Sequence, residues 1–202
     1  LKPSRPSDGV AWITGASSGI GHALALELAK RGWRVVVSAR RAEKLEAMKQ
    51  EVADPDSIIP MPLDVTDPEA VQATVAKIIA EHGPIARAVL NVGTFDPKAD
   101  ELFDAEAYVR LMTINTSGAA YCLDPIAAHM AGRKQGQIAV VASIAGYRGL
   151  PTSVAYSSSK AALIAMVEAL KFELDKHNVH IQIVNPGFVR TPLTDKNEFE
   201  MP

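Results

Sequence analysis

The sequence predicts an α/β protein built on a doubly wound parallel sheet with helices on both faces. Short runs rich in β-branched residues alternate with longer helical patterns along the 202 residues. Alternation of this kind implies right-handed crossovers between parallel strands. The strand candidates are continuous apolar runs such as Val35–Val37 rather than alternations of apolar and polar residues, which is typical of strands covered on both faces. A chain of this length fits one domain, and we predict one over residues 1–202.

The elements follow from local signals taken in chain order. The predicted strands are Val10–Thr14, Arg34–Ser38, Ile58–Leu63, Ala86–Leu90, Gln137–Val141 and His180–Val184. The predicted helices are Gly19–Arg31, Arg41–Ala53, Pro68–His82, Phe103–Ala131 and Thr152–Lys176. Gly32 and Gly83 mark helix ends. Asp67 before Pro68 marks a helix start. Pro125 is expected to kink or split the longest helix.

The composition argues against several classes of function. A net charge of −2 gives no electrostatic reason to expect nucleic acid or an anionic membrane as a partner. No apolar run approaches the roughly 18 residues of a membrane span, and Leu1–Asp8 lacks the apolar core of a signal peptide. Cys122 is the only cysteine and the histidines show no metal-ligand spacing, so we expect neither a disulfide nor a metal site. We therefore expect a cytoplasmic, metal-free protein.

A glycine-rich turn follows the first predicted strand. Three glycines let the backbone approach a pyrophosphate closely, and the helix that starts at Gly19 directs free amides and the positive end of its dipole at that anion. The spacing GxxxGxG differs from the common GxGxxG fingerprint. The alternative is a glycine-rich turn that binds nothing, but the position after the first strand favours a dinucleotide site. The candidate binding residues are Gly15, Ser17, Ser18, Gly19, Ile20 and Gly21.

The end of the second predicted strand bears on the choice of dinucleotide. It lies about 20 residues after the glycine turn, where NAD-binding sheets place an acid for the ribose 2′-hydroxyl. Here the chain has Arg40 and Arg41, with no acid before Glu43. Two guanidinium groups suit a 2′-phosphate, which they can bind through paired charge-assisted hydrogen bonds. NADP(H) is therefore favoured over NAD(H), the alternative being two solvated charges at the start of a helix.

The helix predicted over Thr152–Lys176 carries a polar pair in line with an apolar stripe. Tyr156 and Lys160 share one face with Leu163, Val167, Leu170 and Leu174. A lysine in a core-facing position costs desolvation unless its charge is used, and a phenol one turn earlier is a candidate user. The alternative is a core tyrosine with a lysine snorkelling past it, since YxxxK is short enough to occur by chance.

Together these segments resemble the short-chain dehydrogenase/reductase family from Val10 to Thr191. The glycine turn looks like its cofactor turn, and Tyr156-Ser157-Ser158-Ser159-Lys160 looks like its active-site helix motif. Ser143, thirteen residues before Tyr156 and just past a predicted strand, matches the family's catalytic serine. Asn115 matches the asparagine that completes the tetrad. Further cofactor-binding positions implied by the resemblance are Asp64, Val65, Asn91, Gly93, Pro186, Gly187, Val189 and Thr191.

The resemblance also implies a Rossmann-type sheet with strand order 3-2-1-4-5-6, and the chain departs from the family pattern in three places. Leu90 replaces the first residue of the family's Asn-Asn-Ala-Gly segment. Ser18 stands where many NADP-preferring relatives have a basic residue, so that Arg40 would hold the phosphate alone or with Arg41. We expect the substrate-covering loop and a seventh strand to be missing from this chain, and residues beyond 202 to cover the sheet edge at 179–184.

The resemblance implies an NADP(H)-dependent carbonyl reductase or alcohol dehydrogenase. Tyr156 would be the general acid and base, with its pKa lowered by Lys160, which would also bind the nicotinamide ribose. Ser143 would hydrogen-bond the substrate oxygen, and Asn115 would hold a water that links Lys160 to solvent. Apolar walls, including Phe95, suggest a carbonyl or secondary alcohol on a largely apolar small molecule. The candidate substrate residues are Ser143, Ala145, Tyr147, Leu150, Tyr156 and Phe188.

The family analogy bears on assembly as well. Relatives commonly pair through the long helices, so a homodimer or homotetramer is expected. The runner-up function is a non-catalytic NADP(H) sensor or scaffold on the same fold. All four catalytic residue types are present, whereas a sensor needs the phosphate-binding turn but no proton donor, and this argues for the enzyme.

Overall fold

Six parallel strands form one sheet in the computed structural model, which describes residues 3–96 and 103–194. The strands are β1 (Val10–Thr14), β2 (Val35–Ser38), β3 (Ile58–Pro60), β4 (Ile85–Leu90), β5 (Gly136–Val141) and β6 (Val179–Val184). Their order is β3-β2-β1-β4-β5-β6, and each neighbouring pair is parallel. The predicted fold class and strand order are confirmed.

Most helices lie where the sequence predicts them, with differences in their bounds. They are α1 (Gly19–Lys30), α2 (Ala42–Ala47), α3 (Pro68–His82), α4 (Ala105–Met112), α5 (Gly118–Arg133) and α6 (Val154–Lys176). The predicted helix Arg41–Ala53 is shorter, because α2 passes into a 3-10 turn at Met48–Glu51. The predicted strand Ile58–Leu63 is also shorter, and beyond Pro60 single bonds from the N–H groups of Met61 and Leu63 to the carbonyls of Val37 and Ala39 continue the contact with the neighbouring strand.

The long predicted helix Phe103–Ala131 departs from regularity at a place the sequence did not indicate. It starts at Ala105, where the Asp104 carboxylate accepts the N–H groups of Glu106 and Ala107. A π-helical turn at Thr113–Ser117 then separates α4 from α5. Pro125 does not split the helix, because α5 continues through it to Arg133. Single π turns of this kind occur mostly at functional sites.

Each face of the sheet has its own apolar core. Successive β1 residues point to opposite faces, so that Trp12 packs in one core and Ile13 in the other. The Trp12 side packs against α3, α5 and α6, and the Ile13 side packs against α1 and α2. All five β1 residues are buried. Both faces are therefore covered, which explains the continuous apolar strands in the sequence.

The parallel arrangement brings one set of loops together. Thr14, Ser38 and Leu90 are in register at the carboxyl ends of adjacent strands, and Val141 is in register with Val184. The segments that follow these strands therefore meet along one edge of the sheet, where doubly wound folds bind ligands. Among residues 3–96 and 103–194, none of the helices has both the length and the apolar character needed to cross a bilayer.

Candidate active site

A cleft of about 720 Å³ lies at the carboxyl edge of the sheet, and it collects most of the predicted site residues. Its lining contains every predicted cofactor-binding residue except Gly21: Gly15, Ser17, Ser18, Gly19, Ile20, Arg40, Arg41, Asp64, Val65, Asn91, Gly93, Tyr156, Lys160, Pro186, Gly187, Val189 and Thr191. Residues from five separate loops and from α6 therefore converge on one site, although they are spread over most of the chain.

The glycine turn has the backbone geometry that its sequence predicts. Gly15 and Gly19 have φ angles of +67° and +59°, which side chains other than glycine rarely adopt. Asn91 fixes the turn from β4: its Nδ2 donates to the Gly15 carbonyl at 3.1 Å, and its N–H donates to Thr14 Oγ1 at 3.1 Å. Asn91 thus holds the start of the turn, and the Thr191 side chain lies next to Gly19 at its end, 3.2 Å from where a Cβ on Gly19 would be.

Gly21 lies beneath the turn rather than in the cleft lining of the described residues. A Cβ at this position would lie 2.5 Å from the Gly15 carbonyl oxygen and 2.6 Å from Asn91 Nδ2. The glycine therefore lets α1 pack directly against the turn. That Gly21 also binds the cofactor stays a prediction, and what the structure describes is its close packing against the turn.

Substitution of Gly21 by alanine is expected to destabilise the protein. Because the new Cβ would meet rigid backbone, we expect a loss of about 1–3 kcal/mol in the free energy of unfolding, as for other overpacked sites. Gly132, in α5, is the matched control, since a Cβ there would have no neighbour within 4 Å. Gly132→Ala should leave stability unchanged or raise it by up to about 1 kcal/mol. Urea unfolding of both variants would show this, and equal midpoints would contradict it.

The two arginines that follow β2 lie on the cleft wall. Arg40 and Arg41 are exposed and line the cleft, and Arg41 Nη2 donates to Ser17 Oγ at 3.3 Å. The pKa of Asp64 is lowered, chiefly because its carboxylate accepts the Thr66 N–H, with smaller contributions from the Thr66 hydroxyl and the charge of Arg40. This part of the cleft therefore combines two cations and a hydroxyl with one ionised carboxylate.

Lys160 is buried at the inner wall of the cleft. Its side chain is only 3% exposed, and Nζ donates to the Val141 carbonyl at 3.0 Å. Burial disfavours the ammonium and lowers the pKa of Lys160 to about 8. Nζ also lies 5.6 Å from the centroid of the Tyr156 ring. The lysine is thus held beside the tyrosine at a real electrostatic cost, and it does not snorkel to solvent.

Tyr156 has a raised pKa, which differs from the expected lowering by Lys160. Burial is the main cause, because it disfavours the phenolate, and a hydrogen bond with the Ser143 side chain opposes it in part. The Lys160 ammonium is directed to the Val141 carbonyl and makes no resolved contribution to this pKa in the described residues. The protein on its own therefore keeps Tyr156 protonated.

Asn115 lies in the π-helical turn, fully buried and outside the cleft lining of the described residues. Its Oδ1 accepts the Thr94 N–H at 2.7 Å, and its Nδ2 donates to the Thr94 carbonyl at 3.0 Å and to Ser159 Oγ at 3.0 Å. Both amide hydrogens are therefore committed to the protein. A water held by Asn115, as predicted, would therefore have to donate its hydrogen bond to Oδ1.

The predicted substrate residues are only partly brought together. Ser143 and Tyr156 line the cleft, whereas Ala145 is buried in the protein. Three exposed residues lie outside the lining of the described part, namely Tyr147, Leu150 and Phe188. The predicted wall residue Phe95 meets the Tyr156 ring edge to face, with centroids 5.5 Å apart and planes at 72°. The predicted substrate residues therefore stay a prediction, with Ser143 and Tyr156 on the cleft wall and the other four outside its lining in the described part of the chain.

Several lining residues were not predicted. Arg110, Thr113 and Ile114 reach the cleft from α4 and the π turn, and their spacing of three and four is a helical-face signal that could have indicated them. Arg110 Nη2 pairs with Asp96 Oδ2 at 3.0 Å. Thr194 also lines the cleft, and its N–H donates to the Thr191 carbonyl at 2.9 Å in a loop that packs on Gly19. No local pattern in the sequence marks this loop contact.

Comparison with known proteins agrees with this geometry. The short chain dehydrogenase family model matches residues 9–201. An uncharacterized oxidoreductase of Myxococcus xanthus is 38% identical over 193 residues, covering 95% of this chain and 76% of that protein. The chain spans only 58% to 60% of the relatives named dehydrogenase/reductase SDR family 7 in Anopheles gambiae, Mus musculus, Drosophila melanogaster and Homo sapiens.

Solved structures of short-chain dehydrogenases and related proteins have a similar fold. ElxO with NADP bound has a TM-score of 0.87 and 28% identity, and the match covers 93% of this chain and 77% of that one. NAD⁺-bound xylitol dehydrogenase has a TM-score of 0.79 and 32% identity, and the match covers 89% of this chain and 70% of that one. Structures of this fold thus include one with each dinucleotide.

Proposed function

The chain belongs to the short-chain dehydrogenase family, and from this premise we propose that it is an NADP(H)-dependent oxidoreductase. It transfers a hydride between the nicotinamide and a carbonyl or secondary alcohol on a largely apolar small molecule, with Tyr156 as general acid and base. The observation that carries the proposal is that Tyr156, buried Lys160 and Ser143 line the same cleft as the glycine turn.

The residues present fit a dinucleotide. At Gly15 and Gly19 the backbone is bare and in the left-handed region, next to the first turn of α1. A pyrophosphate bound there would accept the amide hydrogens at the positive end of the helix dipole. Asp64 and Val65 would bind the adenosine, and Pro186, Gly187, Val189 and Thr191 would flank the nicotinamide. The bound group would supply or accept the hydride.

The preference for NADP(H) rests on the two arginines. Arg40, Arg41 and the Ser17 hydroxyl would hold the 2′-phosphate, and ElxO with NADP bound supports this choice. NAD⁺-bound xylitol dehydrogenase shows that the fold serves either dinucleotide, so the choice depends on side chains and not on architecture.

An exchange of Arg40 for aspartate is expected to reverse the cofactor preference. Loss of a charge-assisted bond and gain of a like charge should lower kcat/KM for NADPH by about 10- to 100-fold, from about 1.5–3 kcal/mol per charged hydrogen bond. Activity with NADH should be retained or raised. Arg31→Asp is the matched control, since Arg31 is exposed at the end of α1 and lies outside the cleft lining of the described residues. A parent protein that prefers NADH would contradict the assignment.

The reaction can be followed from the residues of the chain. In reduction, Tyr156 donates its phenolic proton to the substrate oxygen, and Ser143 donates a hydrogen bond to the same oxygen as charge develops. Burial raises the pKa of Tyr156, so the phenol is in the acid form needed for this direction at neutral pH. Lys160 Nζ lies 5.6 Å from the centroid of the Tyr156 ring, and its ammonium is the charge that would favour the phenolate left after proton donation.

The apolar surroundings support an apolar substrate. Phe95 packs on Tyr156, and Tyr147, Leu150 and Phe188 expose 67%, 43% and 44% of their surface. The last three lie outside the cleft lining of the described residues, and a bound substrate that extends beyond the cleft would cover part of their apolar surface. A ketone or aldehyde on a hydrophobic body fits this surface better than a charged metabolite.

The experiment that tests the proposal is a panel of carbonyls and alcohols assayed by the absorbance of reduced nicotinamide. We expect turnover of apolar ketones or aldehydes with NADPH. Tight NADPH binding without turnover across the panel would refute the catalytic proposal and favour a sensor or scaffold. Absence of both would refute dinucleotide binding as well.

We further propose a homodimer or homotetramer, which sedimentation of the purified protein would test.

A further inference from the structure

A buried hydrogen-bond network joins three elements behind the cleft. It starts at Thr94, which follows β4. The Thr94 N–H donates to Asn115 Oδ1 in the π turn, and the Thr94 carbonyl accepts a hydrogen bond from Asn115 Nδ2. Asn115 Nδ2 also donates to Ser159 Oγ at 3.0 Å, and Ser159 Oγ donates to the Tyr156 carbonyl at 2.7 Å. The network therefore ends on the turn of α6 that carries both Tyr156 and Lys160.

Ser159 is the point at which the network enters α6. It is completely buried, its hydroxyl both accepts and donates, and its carbonyl accepts the Thr116 hydroxyl at 3.2 Å. Loss of this hydroxyl would leave an Asn115 N–H buried without a partner, a large local penalty compared with loss of an exposed bond. A serine hydroxyl bonded to the carbonyl three residues earlier also favours a local bend of the helix.

We infer that Ser159 is a positioning residue for the reaction, an inference that rests on the proposed function. Its hydroxyl sets the position of the first turns of α6 relative to the π turn and the segment after β4. Tyr156 and Lys160 project from this turn into the cleft, and Gly93 lies between the two sides of the network. A Cβ on Gly93 would be 3.2 Å from Lys160 Nζ and 3.8 Å from Asn115 Oδ1. The lack of a side chain at Gly93 therefore provides the space that Lys160 Nζ occupies next to the network.

The neighbouring serines offer internal controls. Ser157 and Ser158 precede Ser159 on the same turn, but the Ser157 hydroxyl accepts the Leu150 N–H at 3.3 Å and takes no part in this network among the described residues. Ser158 is half-buried and is also outside it. Ser158→Ala also removes one hydroxyl from the same turn of α6. Any difference in kinetics between this variant and Ser159→Ala is therefore due to loss of the network and not to the serine-to-alanine change itself.

The first test compares the kinetics of these two variants in the full-length protein. A displacement of about 1 Å can cost up to about 100-fold in rate, so we expect Ser159→Ala to lower kcat about tenfold or more. Its KM for NADPH should stay within about twofold of the parent value, because the glycine turn and the arginines are untouched. Ser158→Ala should match the parent. A kcat within twofold of the parent for Ser159→Ala, or a change confined to KM, would overturn the inference.

The second test is a double-mutant cycle on kcat. If Asn115 and Ser159 act through one network, Asn115→Ala combined with Ser159→Ala should be about as slow as the slower single variant. Losses that multiply would show independent roles and would overturn the inference. Should Ser159→Ala fail to fold, Thr116→Val takes its place, because it removes only the hydroxyl that bonds the Ser159 carbonyl. We then expect a kcat lowered about threefold at constant KM, and an unchanged kcat would overturn the inference.

A readout without turnover separates this inference from the proposed function. Hydrogen exchange of the backbone amides at 156–160 should be at least about fivefold faster in Ser159→Ala than in Ser158→Ala, since the anchoring of this turn is lost. Equal exchange would overturn the positioning role. A parent protein that reduces no carbonyl would refute the proposed function, and the exchange experiment would still decide whether Ser159 anchors α6.

Discussion

Replacement of Tyr156 by phenylalanine is expected to lower turnover by at least about 100-fold, the usual range for loss of a general acid. The hydroxyl is the only atom removed, and no glycine-turn contact depends on it. NADPH affinity should therefore stay near the parent value, as measured by fluorescence of the bound nucleotide. The matched control is Tyr121→Phe, because Tyr121 lies on α5 outside the cleft lining of the described residues. We expect this variant to have the turnover of the parent.

The pH dependence sharpens this prediction. In reduction the phenol must be protonated, and burial raises the pKa of Tyr156 above its usual value. The limb of the rate profile that reports its ionisation should therefore lie at higher pH than for a free tyrosine, and it should be absent from the residual rate of Tyr156→Phe. Near-parental turnover in this variant would contradict the assignment of Tyr156 as the proton donor.

Elements with strong local signals could be predicted with nearly correct bounds. Strand β1 and helix α3 agree with prediction at both ends, because a continuous apolar run defines the strand and Asp67, Pro68 and Gly83 bound the helix. Asp67 Oδ1 accepts the Ala70 N–H at 2.9 Å, as expected for a capping residue. Short-range chemistry decides these boundaries, so the sequence alone is sufficient.

The π turn at Thr113–Ser117 could not be predicted in this way. It is held by the bonds of Asn115 to Thr94 and Ser159, which are 21 and 44 residues away in the chain. Hydrophobic periodicity reports only the average helical pitch and contains no such long-range partners. Pro125 is therefore the visible irregularity in the sequence, although the departure from α-helical geometry lies eight to twelve residues earlier, at Thr113–Ser117.

The residues of the candidate site also differ in how far the sequence alone could locate them. The glycine turn, Arg40 and Arg41 were predictable, because they follow strands whose ends must meet at one edge of the sheet. Tyr147, Leu150 and Phe188 were placed in the substrate pocket by their position in the chain alone, and they lie outside the cleft lining of the described residues. Their loops have no repeating geometry from which side-chain direction could be inferred. Likewise the raised pKa of Tyr156 depends on burial, which sequence spacing does not give.

Replacement of Lys160 by methionine is expected to remove most of the turnover and to stabilise the fold at neutral pH. The pKa of Lys160 is lowered by burial from 10.5 to about 8. The folded protein therefore holds an ammonium that it disfavours, and at 1.36 kcal/mol per pKa unit this costs about 3 kcal/mol below pH 8. Methionine is apolar and of similar length, so it removes the penalty. Loss of the bond from the ammonium to the Val141 carbonyl offsets about 1.5–3 kcal/mol, which leaves a net gain of up to about 1.5 kcal/mol in the free energy of unfolding.

The pH dependence of that gain has a defined sign. Below about pH 8 both folded and unfolded parent carry the proton, so the penalty is present in full. Between about pH 8 and pH 10.5 the Lys160 side chain is deprotonated in the folded parent but still protonated in the unfolded one. Because the unfolded state then binds more protons, the contribution of Lys160 to the free energy of unfolding rises with pH over this interval. The advantage of Lys160→Met should therefore shrink over this interval, as urea unfolding at pH 7 and pH 10 would show. Lys171→Met, at an exposed lysine on the same helix, should show no comparable gain. A Lys160→Met variant that is less stable than the parent at pH 7 would mean that the buried ammonium stabilises the fold, and the electrostatic cost assigned to this site would be wrong.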